Sequence, residues 1–239
     1  MDDISRILPR TPGKRDSIAK FLAAGFPVET VIDVGVQYGT PELIDTLGDR
    51  RHILCEPIVE YHDSINRTYT ARGVDFLLDA RAASDSDGTA QIALSTTSDA
   101  STITHARLND TDAPGQTLRA VETVTLSTLV EDLNLTGPFL LKIDVDGAEE
   151  MILKGAAPIL SQCSGVVMEA HVESFFARCQ HLVDAGLALF DIIDLCYYDN
   201  RLCQVDVFFI NPAFAPDGAE KPISGAWDNS KWFDLIRHI

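Results

Sequence analysis

Acidic side chains recur in this chain where a strand pattern gives way to a helix pattern. In Leu141-Lys142-Ile143-Asp144-Val145-Asp146-Gly147-Ala148-Glu149-Glu150, an apolar run ends in two carboxylates, a glycine breaks it and a helical pattern begins. Asp33-Val34-Gly35 and Cys55-Glu56-Pro57 repeat the arrangement earlier. Open α/β sheets bind ligands beyond the carboxyl ends of their strands, so three such ends predict a cofactor cleft. Glu56 follows Asp33 by 23 residues, the separation of successive strand ends in a βαβ unit; a carboxylate there can accept hydrogen bonds from ribose hydroxyls. Gly35 and Gly39 bracket the turn after the first strand, where missing side chains let backbone approach a ligand and a helix N-terminus can hold a carboxylate. A nicotinamide dinucleotide fits less well, because its Gly-x-Gly-x-x-Gly fingerprint needs glycine where Gln37 stands.

Proton-transfer chemistry has its own candidates. Glu169 and His171 lie two residues apart at the end of a strand pattern, hence on one face. With an unperturbed pKa of about 6.5, His171 can take a proton from a hydroxyl nucleophile near neutrality; the competing role is a structural hydrogen bond. Asp144, Asp146, Glu169 and His171 together offer an oxygen-rich set that magnesium accepts, but the favoured expectation is a site without metal. Asp146 as N-cap with Glu149 three residues on also makes a capping box, and Lys142 shares a strand face with Asp144, where it can pair with a carboxylate.

The elements needed to position these groups follow the chain. Apolar spacing predicts a lead-in helix over 14–24, stopped by Gly25. Strands are expected at Val31–Val34, His52–Cys55, Asp75–Leu78, Phe139–Asp144 and Gly165–Ala170, with helices after Thr40, after Pro57, over 147–160 and over 171–185. Phe190–Leu195 and Gln204–Ile210, joined by a polar turn, read as an antiparallel finish. Between 81 and 123 the chain is rich in Ser, Thr, Asp and Ala, with weak strands at Ala90–Leu94 and Arg119–Thr125 around the polar loop Ser95–Thr104; this reads as a β-hairpin insertion. Strand and helix in alternation predict an α/β fold, doubly wound around a mostly parallel sheet. The organisation expected is one domain over 1–239, with a core at about 26–212 and a tail over 213–239 held by Trp227 and Trp232.

Composition sets limits. With 239 residues, 46% hydrophobic and 23% charged, the chain can bury one full α/β core. No apolar run reaches membrane-spanning length, and the Met-Asp-Asp start lacks a signal-peptide pattern, so a cytoplasmic location is expected. Five cysteines without CxxC spacing read as reduced thiols. A formal charge of −17 argues against nucleic acid as a partner.

Taken in order, Val-Ile-Asp-Val-Gly-x-x-x-Gly, Cys-Glu-Pro, Leu-Ser-Thr-Leu, Leu-Lys-Ile-Asp-Val-Asp-Gly-Ala-Glu, Val-Met-Glu-Ala-His and Asp-Val-Phe-Phe resemble the FkbM family of class I S-adenosylmethionine-dependent methyltransferases. The likeness runs from about Thr30 to Pro212. Where the family usually has Gly-Ala-Asn, this chain has Gly35-Val36-Gln37; where Asp-Val-Glu-Gly is common, it has Asp144-Val145-Asp146-Gly147. The resemblance implies a seven-stranded Rossmann-like sheet with S-adenosylmethionine as cofactor. It also implies cofactor contacts from Asp33, Gly35, Gly39, Glu56, Asp79, Ala80 and Asp144, with Asp79 and Ala80 beside the adenine. Catalysis then falls to His171, Asp144 and Glu169, and the acceptor is a hydroxyl on a sugar, glycan or secondary metabolite. A non-catalytic binding module on the same fold is the alternative.

Overall fold

The computed structural model describes residues 11–95, 103, 105–108, 117–218, 221 and 226–232. The chain begins with α1 (Lys14–Ala23), then β1 (Thr30–Val34), α2 (Pro41–Leu47), β2 (Arg51–Cys55), α3 (Val59–Arg72) and β3 (Phe76–Asp79). Four strands follow: β4 (Ala82–Ala83), β5 (Gly88–Ser95), β6 (His105–Leu108) and β7 (Thr117–Val124). After α4 (Leu126–Asp132) come β8 (Phe139–Ile143), α5 (Glu149–Ala156), β9 (Cys163–His171), α6 (Phe175–Asp184), β10 (Ala188–Tyr198) and β11 (Arg201–Ile210).

The main sheet has seven strands in the order β10-β11-β9-β8-β1-β2-β3. Its β9-β8-β1-β2-β3 portion is parallel, and β11 joins antiparallel to both β9 and β10. Every residue of β1 and β8 is buried, because helices cover both faces of a parallel sheet and its central strands become continuous apolar runs. Lys142 and Asp33 are the ionisable exceptions within them. Strand order reverses between β1 and β8. That switch point is where doubly wound sheets open a ligand crevice.

The insertion is larger than a hairpin. It forms a separate four-stranded sheet, β4-β7-β5-β6, in which β5 pairs antiparallel with both β6 and β7. Residues 96–102 and 104 of the polar loop lie outside the described residues. Two helices are shorter than their patterns predict. Pro158 follows α5 closely, and a residue without an N–H cannot continue the helical ladder, so the chain passes into a 3-10 segment over Ala157–Gln162. The strand β9 runs on to His171, which delays α6 to Phe175. Among the described residues, the rings of the tail tryptophans contact each other and no other aromatic ring. Trp227 and Trp232 pack on each other, with ring centroids 5.2 Å apart, and both stay more than half exposed.

Candidate active site

A cavity of about 340 Å³ opens beyond the carboxyl ends of β1, β2, β8 and β9, lined among others by Gly35, Glu56, Asp144, Asp146 and Glu169. Ala82, Ala83 and Ile92 of the smaller sheet close one side. Its size falls in the ~300–1,000 Å³ range of small-molecule sites.

Glu56 is buried just past β2. One carboxylate oxygen accepts the Gln37 backbone N–H at 2.8 Å and the other accepts that of Ile58 at 2.9 Å. Burial pushes this carboxyl upward and the two N–H donors oppose the shift. A carboxylate offers about four acceptor positions, so each oxygen keeps capacity for a ligand hydroxyl. Gln37 reaches Glu56 from a left-handed backbone, φ 54°. Asparagine adopts that region more readily than glutamine.

Gly35 has a second reason to lack a side chain. Its φ is 80°, and a Cβ would overlap the Asp144 carbonyl oxygen at the end of β8. The glycine therefore lets β1 and β8 converge at the switch point, as well as presenting backbone to the cavity. Gly39 also lines the cavity, with φ 125°.

Asp33 is fully buried beneath this turn and is not among the residues lining the cavity. It accepts the Thr40 hydroxyl at 2.7 Å, and Lys142 Nζ lies 3.0 Å from its other oxygen. Lys142 also donates to the Gly35 carbonyl at 2.6 Å. The expected role of Asp33 as a direct cofactor contact thus gives way, geometrically, to support of the glycine turn. Thr40 occupies the N-cap position of α2, but its hydroxyl serves Asp33 instead of the helix.

Asp79 is likewise engaged elsewhere. Its carboxylate accepts from the Arg81 guanidinium, at 2.7 Å for the closest pair, and from the Arg81 backbone N–H at 2.8 Å. The exposed Ala80 and Asp79 both fall outside the cavity lining. The backbone of Asp79 still contributes, since its carbonyl accepts the Glu56 N–H at 3.0 Å.

Asp144 faces the opening between two lysines, 3.6 Å from Lys142 Nζ and 3.4 Å from Lys14 Nζ. Burial alone would raise its pKa, but the two ammonium groups outweigh burial and hold it below the usual carboxylate range. The capping box does not form. Ala148 is the N-cap of α5, while Glu149 turns inward to pair with buried Arg178 at 2.7 Å, leaving Asp146 on the cavity wall.

Glu169 is the most perturbed carboxyl in the cavity wall. Burial, then the negative charges of Asp144, Glu149, Asp206 and Asp146, push it up to about 8. Gln204 Nε2 donates to its Oε1. His171, two residues on, is exposed and outside the cavity lining.

Three residues escaped sequence reasoning. Lys14 comes from α1 and lines the cavity, with Nζ 2.8 Å from Asp206 of β11. Burial would lower the Lys14 pKa, but Asp206 and Asp144 more than compensate, so it stays an ammonium. Gln204 and Asp206 alternate with apolar residues on β11; a carboxylate inside such a run was the one legible signal. Among the described residues, no group of three or more His, Cys, Asp or Glu is placed to hold a metal ion.

A family model described as the methyltransferase FkbM domain matches residues 33–198. The chain belongs to the FkbM methyltransferase family. Its cofactor is S-adenosylmethionine. No curated protein matches the chain. Among solved structures, the FkbM chain is similar to an rRNA methylase from Streptococcus thermophilus, at 10% identity and TM-score 0.50, over 85% of this chain and 98% of that one. It is also similar to Aeropyrum pernix fibrillarin in complex with S-adenosyl-L-methionine, at 12% identity and TM-score 0.47, over 76% of this chain and 66% of that one. A third is the N-methyltransferase NodS from Bradyrhizobium japonicum in complex with S-adenosyl-L-homocysteine, at 10% identity and TM-score 0.44, over 89% and 93%. Among the described residues, no helix of the FkbM chain is long and apolar enough to cross a membrane.

Proposed function

We propose that this FkbM methyltransferase methylates oxygen, on a hydroxyl of a sugar, glycan or secondary metabolite. The observation that carries this reading is the position of Glu169, a carboxyl in the cavity wall with Asp144, held by a hydrogen bond from Gln204 Nε2; burial and the neighbouring carboxylates push its pKa up to about 8. An alcohol is a weak nucleophile while protonated, and a base whose pKa lies near ambient pH is best matched to removing that proton.

The residues fit the cofactor. Glu56 retains acceptor capacity on both oxygens toward ribose hydroxyls, and Gly35 and Gly39 leave backbone exposed at the cavity wall. When bound, S-adenosylmethionine supplies an electrophilic methyl carbon on a sulfonium. The carboxylate of Asp144, held ionised by Lys142 and Lys14, favours positive charge at that end of the cavity. Glu169 accepts the hydroxyl proton, its carboxyl oriented by Gln204. His171, expected as the base, is exposed and outside the cavity lining, so Glu169 carries that role in this reading. Most of the acceleration comes from aligning acceptor oxygen and methyl carbon. With a net charge of −17, the chain suits a small-molecule or carbohydrate acceptor better than a polyanionic nucleic acid.

The test is a crystal grown with S-adenosylhomocysteine, followed by transfer of labelled methyl to a panel of polyols and amines. Ribose against Glu56, sulfur facing Asp144 and Glu169, and label on hydroxyl acceptors are expected. Label on amines alone would refute oxygen methylation, and a nucleoside bound away from Glu56 would refute the site.

A further inference from the structure

The face of the main sheet that carries Glu169 continues past the cavity. Glu169 of β9 lies opposite Asp206 of β11, His171 opposite Gln204, and Leu202 opposite Tyr197 of β10. Directly paired residues share a face, as do residues two apart on one strand, so these side chains form one surface. Gln204 joins its two parts, since it donates to Glu169 while standing between Asp206 and Leu202 on β11. The helix α1 begins at Lys14, which meets Asp206 and Asp144, and therefore covers this face only as far as Asp206. Beyond that level the surface opens: Asp206 is buried, Gln204 half-buried, and His171 and Leu202 exposed, while Tyr197 is 63% exposed.

Strand geometry separates Tyr197 from Glu169 by about 16 Å, two strands across and the stretch from Asp206 to Leu202 along β11. A single sugar ring cannot touch both residues, but a chain of rings can. Between them, His171 and Gln204 offer hydrogen-bonding groups and Leu202 offers apolar surface, with no fixed charge. Tyr197 adds a flat aromatic face with a polar tip. Saccharides carry apolar C–H faces bounded by hydroxyls, which match this sequence of neutral polar, apolar and aromatic groups. A phosphate-bearing polymer would need fixed cations that the strip does not offer.

We propose that this strip is an acceptor subsite for an uncharged oligosaccharide, one ring stacking on Tyr197 while the hydroxyl to be methylated lies at Glu169. The inference rests on the reading of Glu169 as the base of a hydroxyl methyltransferase. It adds to that reading a binding surface outside the cavity and an acceptor longer than one sugar.

The test uses the full chain, labelled S-adenosylmethionine, and uncharged gluco-, xylo- and manno-oligosaccharides, each as a series from the monosaccharide upward. Wild type is compared with Tyr197→Ala, Tyr197→Trp and Tyr198→Ala; Tyr198 is 79% exposed and, as the next residue along β10, points to the opposite face. For wild type, KM should fall with chain length until the acceptor spans the distance to Tyr197. Tyr197→Ala should raise KM for the long acceptors by about three- to tenfold, the loss of one stacking contact, with kcat, KM for the monosaccharide and affinity for S-adenosylhomocysteine as in wild type. Tyr197→Trp, which keeps an aromatic face, should retain the length dependence, and Tyr198→Ala should match wild type. A KM for long acceptors that Tyr197→Ala leaves unchanged, or that Tyr198→Ala raises equally, overturns the subsite and leaves hydroxyl methylation standing. Label on other hydroxyl compounds but on no saccharide overturns the acceptor class in the same way. Label on no hydroxyl compound at all overturns the underlying reading, and the inference falls with it.

Discussion

Lys142 Nζ lies 3.0 Å from Asp33 Oδ1, and both side chains are almost completely buried, across the β1–β8 pair where the sheet order reverses. The same ammonium donates to the Gly35 carbonyl at 2.6 Å. An ion pair inside two apolar strands therefore fixes the turn that forms the floor of the site.

Breaking this pair from one side should be far worse than removing both charges. Lys142→Met leaves Asp33 buried without its cation and should cost about 3–5 kcal/mol, while Lys142→Met combined with Asp33→Leu should recover most of that loss. Urea denaturation of the three proteins measures it. Equal losses in single and double variants would mean that the pair is not coupled.

Gly35→Ala places a Cβ against the Asp144 carbonyl oxygen at a φ of 80°. Overpacking of this kind costs about 1–3 kcal/mol. Because Asp144 itself must move, affinity for S-adenosylhomocysteine should drop along with the urea midpoint. Gly147→Ala, with φ 91° but no atom within 4 Å of its Cβ, should lose stability through backbone strain and keep more of the affinity. Comparable affinity losses in the two variants would remove the contact-based explanation.

The raised pKa of Glu169 has a definite sign in stability. From about 4.5 in an unfolded chain to about 8 in the folded one, the folded state holds a proton that the unfolded state has released. The contribution is fully present below pH ~4.5 and is lost as pH rises through ~8, because stability falls wherever the native state binds more protons. Glu169→Gln should flatten the decline in urea midpoint between pH 5 and 8 and exceed wild type above it. The rate of methyl transfer by wild type should climb with pH and level off above about 8 as the base becomes available. An identical stability profile in Glu169→Gln would contradict the assignment.

Residue type and spacing exposed the strand ends, the glycine turn and the position of Glu56, because an α/β sheet fixes where successive strands finish. What they concealed were side-chain partnerships made across elements. Asp33 and Asp144 look alike in sequence, yet the β1–β8 register gives one to Lys142 beneath the turn and leaves the other facing the cavity. Asp79 is taken by Arg81, a local contact that depends on side-chain conformation. The helical spacing of α1 was readable, but its Lys14 reaches β11, more than 190 positions away, to meet Asp206. Asp146 and Glu149 matched a capping box until the buried Arg178 drew Glu149 inward.

Calorimetric titration of S-adenosylhomocysteine into wild type and Glu56→Ala bears most directly on the carboxylate-rimmed cavity as the cofactor site. With folding of the variant verified by its thermal transition, affinity should fall by about tenfold to a thousandfold, the loss of charge-assisted hydrogen bonds to the ribose at roughly 1.5–3 kcal/mol each. A folded Glu56→Ala protein that binds S-adenosylhomocysteine as tightly as wild type would contradict it.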